Sequence, residues 1–201
     1  VKALKVEGPN NHDESTDTDD FIPVNISSVN VPAGKKLSLF RISVKSNSMT
    51  FTGAGEAELL NARLNTNVTA EKIKIADAVV KSLDCKELTS EESVCLVVSE
   101  YLSFEKAVIN PDMVIYGQPG AYLKFGEIDS TGYSQTAIPM VYLGTNGKQT
   151  AKLYIGGVLK LGTYESEGET YSRNLITRLF DTKEAQAAGV PVSKDCFDPT
   201  Y

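Results

Sequence analysis

The sequence predicts an α+β domain, mainly antiparallel β: a β-sandwich-like core with a small helical insertion and an N-terminal arm. Three observations carry this. Short runs of apolar residues alternate with polar ones toward both ends of the chain. Turn-forming pairs, Asn146-Gly147 above all, separate such runs. The stretch from Thr69 to Leu102 carries apolar residues at helical spacing. With 201 residues the chain is long enough for one core with appendages. The predicted organisation is an arm and acidic linker over 1–20, one globular domain over 21–189 with its insertion at about 69–105, and a tail over 190–201.

In order along the chain, Val1, Ala3, Leu4 and Val6 form a short strand, followed by Gly8-Pro9 and a polar acidic leash from Asn10 to Asp20. Val24, Ile26 and Val29, the turn Pro32-Ala33-Gly34-Lys35, and Leu37, Leu39, Ile42 and Val44 read as a first hairpin. Gly53 to Asn65 is open between helix and strand, because Glu56 to Leu60 favours helix and the asparagines oppose it. Thr69 can cap a helix through Ile73, Ala76, Val80 and Leu83, although the β-branched Ile73, Ile75, Val79 and Val80 also suit a strand. Thr89-Ser90-Glu91-Glu92 has the form of a capping box for a second helix that buries Val94, Val98, Tyr101 and Leu102. Met113 to Tyr116, Ala121 to Ile128 and Ile138 to Leu143 read as strands. Asn146-Gly147 then predicts an antiparallel meander through Ala151 to Ile155 and Val158 to Tyr164. A short helix over Tyr171 to Phe180 and another turn ending at Gly189 complete the domain. No internal repeat of solenoid length stands out.

Composition narrows the function. A net charge of -6 with unclustered basic residues opposes nucleic-acid binding, and no apolar run approaches the ~20 residues of a membrane-spanning helix. His12, the single histidine, sits in the acidic leash without a partner to orient it. Serines lack a Gly-x-Ser-x-Gly setting, and Gly53-Ala54-Gly55 lacks the third glycine and the βαβ unit of a nucleotide loop. No catalytic residue is therefore assigned and the chain reads as a non-enzyme.

Four weaker signals remain. Cys85 and Cys95 are close enough in sequence for a disulfide closing a small loop, with Cys196 left over. Asp17, Asp19 and Asp20, within a run that includes Asp13 and Glu14, are candidate calcium ligands, the one cofactor considered; the central glycine and closing glutamate of an EF-hand loop are missing. Glu127 and Asp129 point to one side of a strand, most simply its solvated face. Nine tyrosines and no tryptophan suit amphipathic packing or an interface.

The arm is the sharpest clue, since an apolar strand on a leash suits docking on a neighbour's sheet edge, and pairing with an edge of its own domain is the competing reading. The expected function is a self-assembling, homo-oligomeric subunit of an extracellular filament or pilus, with Val1, Ala3, Leu4 and Val6 as the inter-subunit arm. A virus or phage particle protein, and an adhesin or carbohydrate-binding module, are the alternatives.

Overall fold

The computed structural model of the chain describes residues 3–7, 12–13, 18–19, 22–44, 46–90 and 95–181. In chain order its strands are β1 (Ala3–Glu7), β2 (His12–Asp13), β3 (Thr18–Asp19), β4 (Ile22–Val24), β5 (Ser28–Asn30), β6 (Lys36–Phe40), β7 (Ile42–Val44), β8 (Ser48–Thr52) and β9 (Glu56–Ser90). They continue with β10 (Cys95–Val108), β11 (Val114–Gly117), β12 (Tyr122–Asp129), β13 (Met140–Thr145), β14 (Lys152–Ile155), β15 (Leu159–Lys160), β16 (Thr163–Ser166), β17 (Glu169–Ser172) and β18 (Ile176–Asp181). Fourteen of them form one sheet whose strand pairings are all parallel; β2–β3 and β16–β17 are small antiparallel hairpins. Among the described residues no helix is long and apolar enough to cross a membrane.

Parallel pairing demands a return path after every strand. Here the path is more strand, because the chain coils around three faces. The first face stacks β1, β6 and the start of β9, then the end of β9 and the ends of β10 and β12, then β15. The second stacks β4, β7 and β9, and later β9, the start of β10, β11, β13 and β18. The third stacks β5, β8 and β9, and later β9, β10, β12 and β14. This is the wiring of a parallel β-solenoid. β9 is long enough to pass over itself, and Ser82 Oγ donates to Asn67 Oδ1 across 15 residues, one coil.

The core consists of columns of inward side chains running from coil to coil. Leu83, Leu102, Leu123 and Leu153 form one column, and Cys85, Phe104, Phe125 and Ile155 another, with the Phe104 and Phe125 rings stacked at 4.8 Å. Outward residues on the first face alternate in sign instead. Lys36 meets Glu56 at 3.6 Å, Lys72 meets Glu87 at 3.5 Å, and Lys106 lies in register with Glu87 and meets Glu127 at 3.7 Å. In-register stacking places neighbours about 4.8 Å apart, so alternation avoids like-charge repulsion along the column.

The α+β, antiparallel β-sandwich expectation is therefore corrected to an all-strand, mostly parallel sheet. Over the expected insertion at 69–105 the described residues belong to β9 and β10, with 91–94 outside them, and the expected helix over 171–180 falls on the end of β17 and most of β18. Inward residues Ile73, Ile75, Ala78, Val80, Leu83, Cys85 and Leu88 are all buried. Ile73, Ala76, Val80 and Leu83 fall three and four apart and so imitate a helical face, but the buried set steps by two within a face and by three around a corner. The corners from first to second face recur at Arg41, Asn61 and Asp77, whose φ angles of 51°, 46° and 40° are left-handed. The Asn146-Gly147 turn forms, with Gly147 at φ 79° and Asn146 N–H donating to Gln149 O, but it joins no meander. β13 pairs with β11 and β18 while β14 pairs with β12, so the turn carries the chain around a corner.

Candidate functional site

On the third face the outward residues between core columns form a shallow groove of about 600 Å³. Its floor is one column: Thr50 and Thr69, whose hydroxyls hydrogen-bond at 3.2 Å, then Asp84 in register with Ser103 and Ser103 with Lys124. One wall is Tyr101, backed by Tyr122 with ring centroids 6.2 Å apart and planes 18° from parallel. Ser82 lies in register with Tyr101 on the preceding coil. The opposite wall is Glu71, Lys86 and Glu105. Lys86 Nζ lies 2.8 Å from Glu71, and the hydrogen bond and charge of Glu71 hold its pKa above the ordinary lysine value. The groove thus offers a carboxylate, hydroxyls and an ammonium on a flat floor beside one aromatic ring.

Sequence-predicted residues fall elsewhere. Ala3, Leu4 and Val6 lie in β1, which pairs in parallel with β6 of its own sheet, Leu4 opposite Leu37 and Val6 opposite Leu39. Val1 lies outside the described residues. Cys85 and Cys95 are not bridged to each other and lie buried in different apolar clusters, so the expected disulfide is not made. Burial, with the charge of Asp84, pushes the Cys85 thiol up to about 12, which leaves it unreactive. Cys196 lies outside the described residues, as do Asp17 and Asp20; Asp19 is described only as part of β3, paired to His12. Among the described residues no group of three His, Cys, Asp or Glu side chains could hold a metal ion. Glu127 is bound by Lys106 and Lys160, and Asp129 accepts hydrogen bonds from the Thr131 N–H and hydroxyl, which lower its pKa.

Two features escaped the sequence reading. The groove needs Thr50, Thr69, Asp84 and Ser103 brought together from four coils, a proximity visible only once the coil length is known. The second is a set of exposed apolar side chains where the sheet ends: Tyr154 at 52%, Val158 at 60% and Leu179 at 71% exposure, with Ile155 and Leu159 beside them. At the opposite end an apolar hollow of about 280 Å³ is lined by Leu4, Val29, Val31, Pro32 and Leu37 among others. No protein-family model, curated protein or solved structure matches the chain.

Proposed function

We propose that the chain is a non-enzymatic structural subunit that assembles head to tail with copies of itself, as in an extracellular filament. The observation that carries this reading is the match between the two ends of the coil. Column by column, Ile155 continues the position of Phe125 and Phe104 on the third face, where the first coil carries Val29 against Phe51. Leu159 continues that of Ile128 on the first face, where the first coil carries Leu4 against Leu37. Stacking one molecule on the next places Ile155, Val158 and Leu159 against the hollow lined by Leu4, Val29 and Val31. β14 and β15 pair only with β12, and β1 only with β6, among the described residues, so each end carries strand edges able to bond. The acids Asp13, Glu14, Asp17, Asp19 and Asp20 lie between β1 and β4 in sequence, and the other end carries exposed Lys152, Lys160 and Arg178.

In this reading the arm acts as part of a receiving platform, and a heterologous contact of this kind gives open filaments unless its rotation closes a ring. The test is light scattering after size exclusion, with negative-stain microscopy. Wild-type protein is expected to form concentration-dependent chains, and the double variant Val158→Lys, Leu159→Lys to stay monomeric with unchanged circular dichroism. A wild type that remains monomeric at every concentration rejects self-assembly. Chains that survive the double variant reject this interface.

A further inference from the structure

We propose that the groove on the third face binds an extended, neutral, polyhydroxylated chain, a linear polysaccharide, laid along the axis of the coil. The backbone groups of β9, β10 and β12 beneath the groove are engaged on both sides by parallel ladders, so a peptide cannot join as an added strand. Recognition there falls to side chains alone. Three acids, Glu71, Asp84 and Glu105, face two cations, Lys86 and Lys124, and Lys86 is already held by Glu71. That balance repels a polyanion. The floor is built of hydroxyls and a carboxylate, which an apolar ligand would have to desolvate without replacement hydrogen bonds.

A saccharide chain answers each of these features. Asp84 accepts from sugar hydroxyls, Lys124 donates to them, and Ser103 between them does both. The Tyr101 ring in the groove wall offers an apolar surface to the C–H face of a pyranose ring, and its parallel neighbour Tyr122 fixes its orientation. Because these groups recur at the inter-strand spacing of about 4.8 Å, the groove favours a repeating, extended ligand over a compact one. A single chain can then engage Thr69, Asp84, Ser103 and Lys124 in succession.

The experiment is titration calorimetry and affinity electrophoresis of the intact chain against cellohexaose, xylohexaose and mannohexaose, with oligogalacturonate as the anionic counterpart. At least one neutral hexasaccharide is expected to bind. Asp84→Asn, a near-isosteric change at an exposed position, is expected to weaken it about tenfold, the weight of one charge-assisted hydrogen bond. Tyr101→Ala is expected to weaken it by at least as much, and Lys106→Gln, on the first face, to leave it unchanged. The proposal is overturned if no neutral hexasaccharide binds at millimolar concentration, if oligogalacturonate binds in their place, or if binding survives both groove variants. Neither result depends on the state of assembly, since the groove lies on the flank of the coil and not at its ends.

Discussion

The coils between Glu56 and Val108 and those beyond Asn110 solve the same problem differently. In the first region the described coils take 15 to 19 residues, and the corner from first to second face turns on one left-handed residue, Asn61 or Asp77. Asp77 also accepts the Cys95 N–H at 2.7 Å, tying one corner to the next coil; burial raises its pKa and that hydrogen bond opposes the rise. In the second region the returns lengthen, from Val114 to Met140 and from Met140 to Ile176, and include the β16–β17 hairpin and the irregular segment around Tyr133 to Ala137. There one buried cation replaces the missing regularity. Arg173, 4% exposed, donates from Nε to Ala137 O, from Nη1 to Leu161 O, and from Nη2 to Tyr133 O and Gln135 O. Side-chain columns run through both regions, and in the long returns the carbonyls satisfied by Arg173 add to them.

The largest effect is expected where the columns are tightest. Phe104 is buried between Cys85 and Phe125, so Phe104→Ala opens a cavity in several coils at once and should cost about 3–5 kcal/mol. Thermal unfolding followed by circular dichroism should show a drop of roughly 10 °C in a chain of this size. A fall of only a degree or two would mean that the central columns do not dominate stability.

Arg173→Met keeps most of the apolar stem and removes the donors, leaving four carbonyl groups short of a partner. The expected cost is about 2–4 kcal/mol. Unlike the phenylalanine variant, it should act locally. Hydrogen exchange should quicken at residues 133–176 while β9 and β10 keep their protection. Equal loss of protection in both regions would erase the distinction drawn between them.

The same contrast explains what could be read in advance. Strands at Leu37 to Val44 and Met113 to Tyr116 were legible because alternation within one face is local. The coil was not, because pairing partners lie 15 or more residues away and the return length varies, which hides any fixed repeat. The signal that would have disclosed it lies between Ile73 and Leu88, where buried residues follow one another by two, then three, then two. A helix needs steps of three and four, and a sandwich strand steps of two alone; the mixed pattern fits three short strands around three corners. Thr89 and Ser90 of the expected capping box close β9, whereas Glu91 and Glu92 lie outside the described residues. The groove was illegible for the same reason, since Asp84 and Ser103 are neighbours only through the ladder. The end hollow joins Leu4 to Val29 and Leu37, contacts equally remote in sequence.

The smallest expected effect separates a buried charge in the early coils from a surface charge in the late ones. Glu58, 4% exposed, receives the Ser38 hydroxyl and the Lys36 ammonium, with Lys74 at 4.0 Å. Burial by itself raises its pKa; the hydrogen bonds from Lys36 and Ser38 and the charges of Lys36 and Lys74 outweigh it, and the carboxyl sits below the ordinary value of 4.5. A depressed folded-state pKa contributes stability that is present above the unfolded value and lost as pH falls through the folded one. Lys36, raised above 10.5 chiefly by its hydrogen bond with Glu58, gives the mirror case: its contribution is present below that value and lost as pH rises through the folded one. Glu58→Gln should therefore lower the melting temperature at neutral pH by the equivalent of about 1 kcal/mol and flatten its decline on both the acid and the alkaline side. Asp129, also depressed but held at the surface by Thr131, is screened by water, so Asp129→Asn should leave the acid limb nearly as it is. Melting curves from about pH 3 to 11 for the three proteins decide the matter over the window those two pKa values define. If Asp129→Asn flattens the acid limb as much as Glu58→Gln, burial is not what gives the Ser38–Glu58–Lys36 cluster its weight.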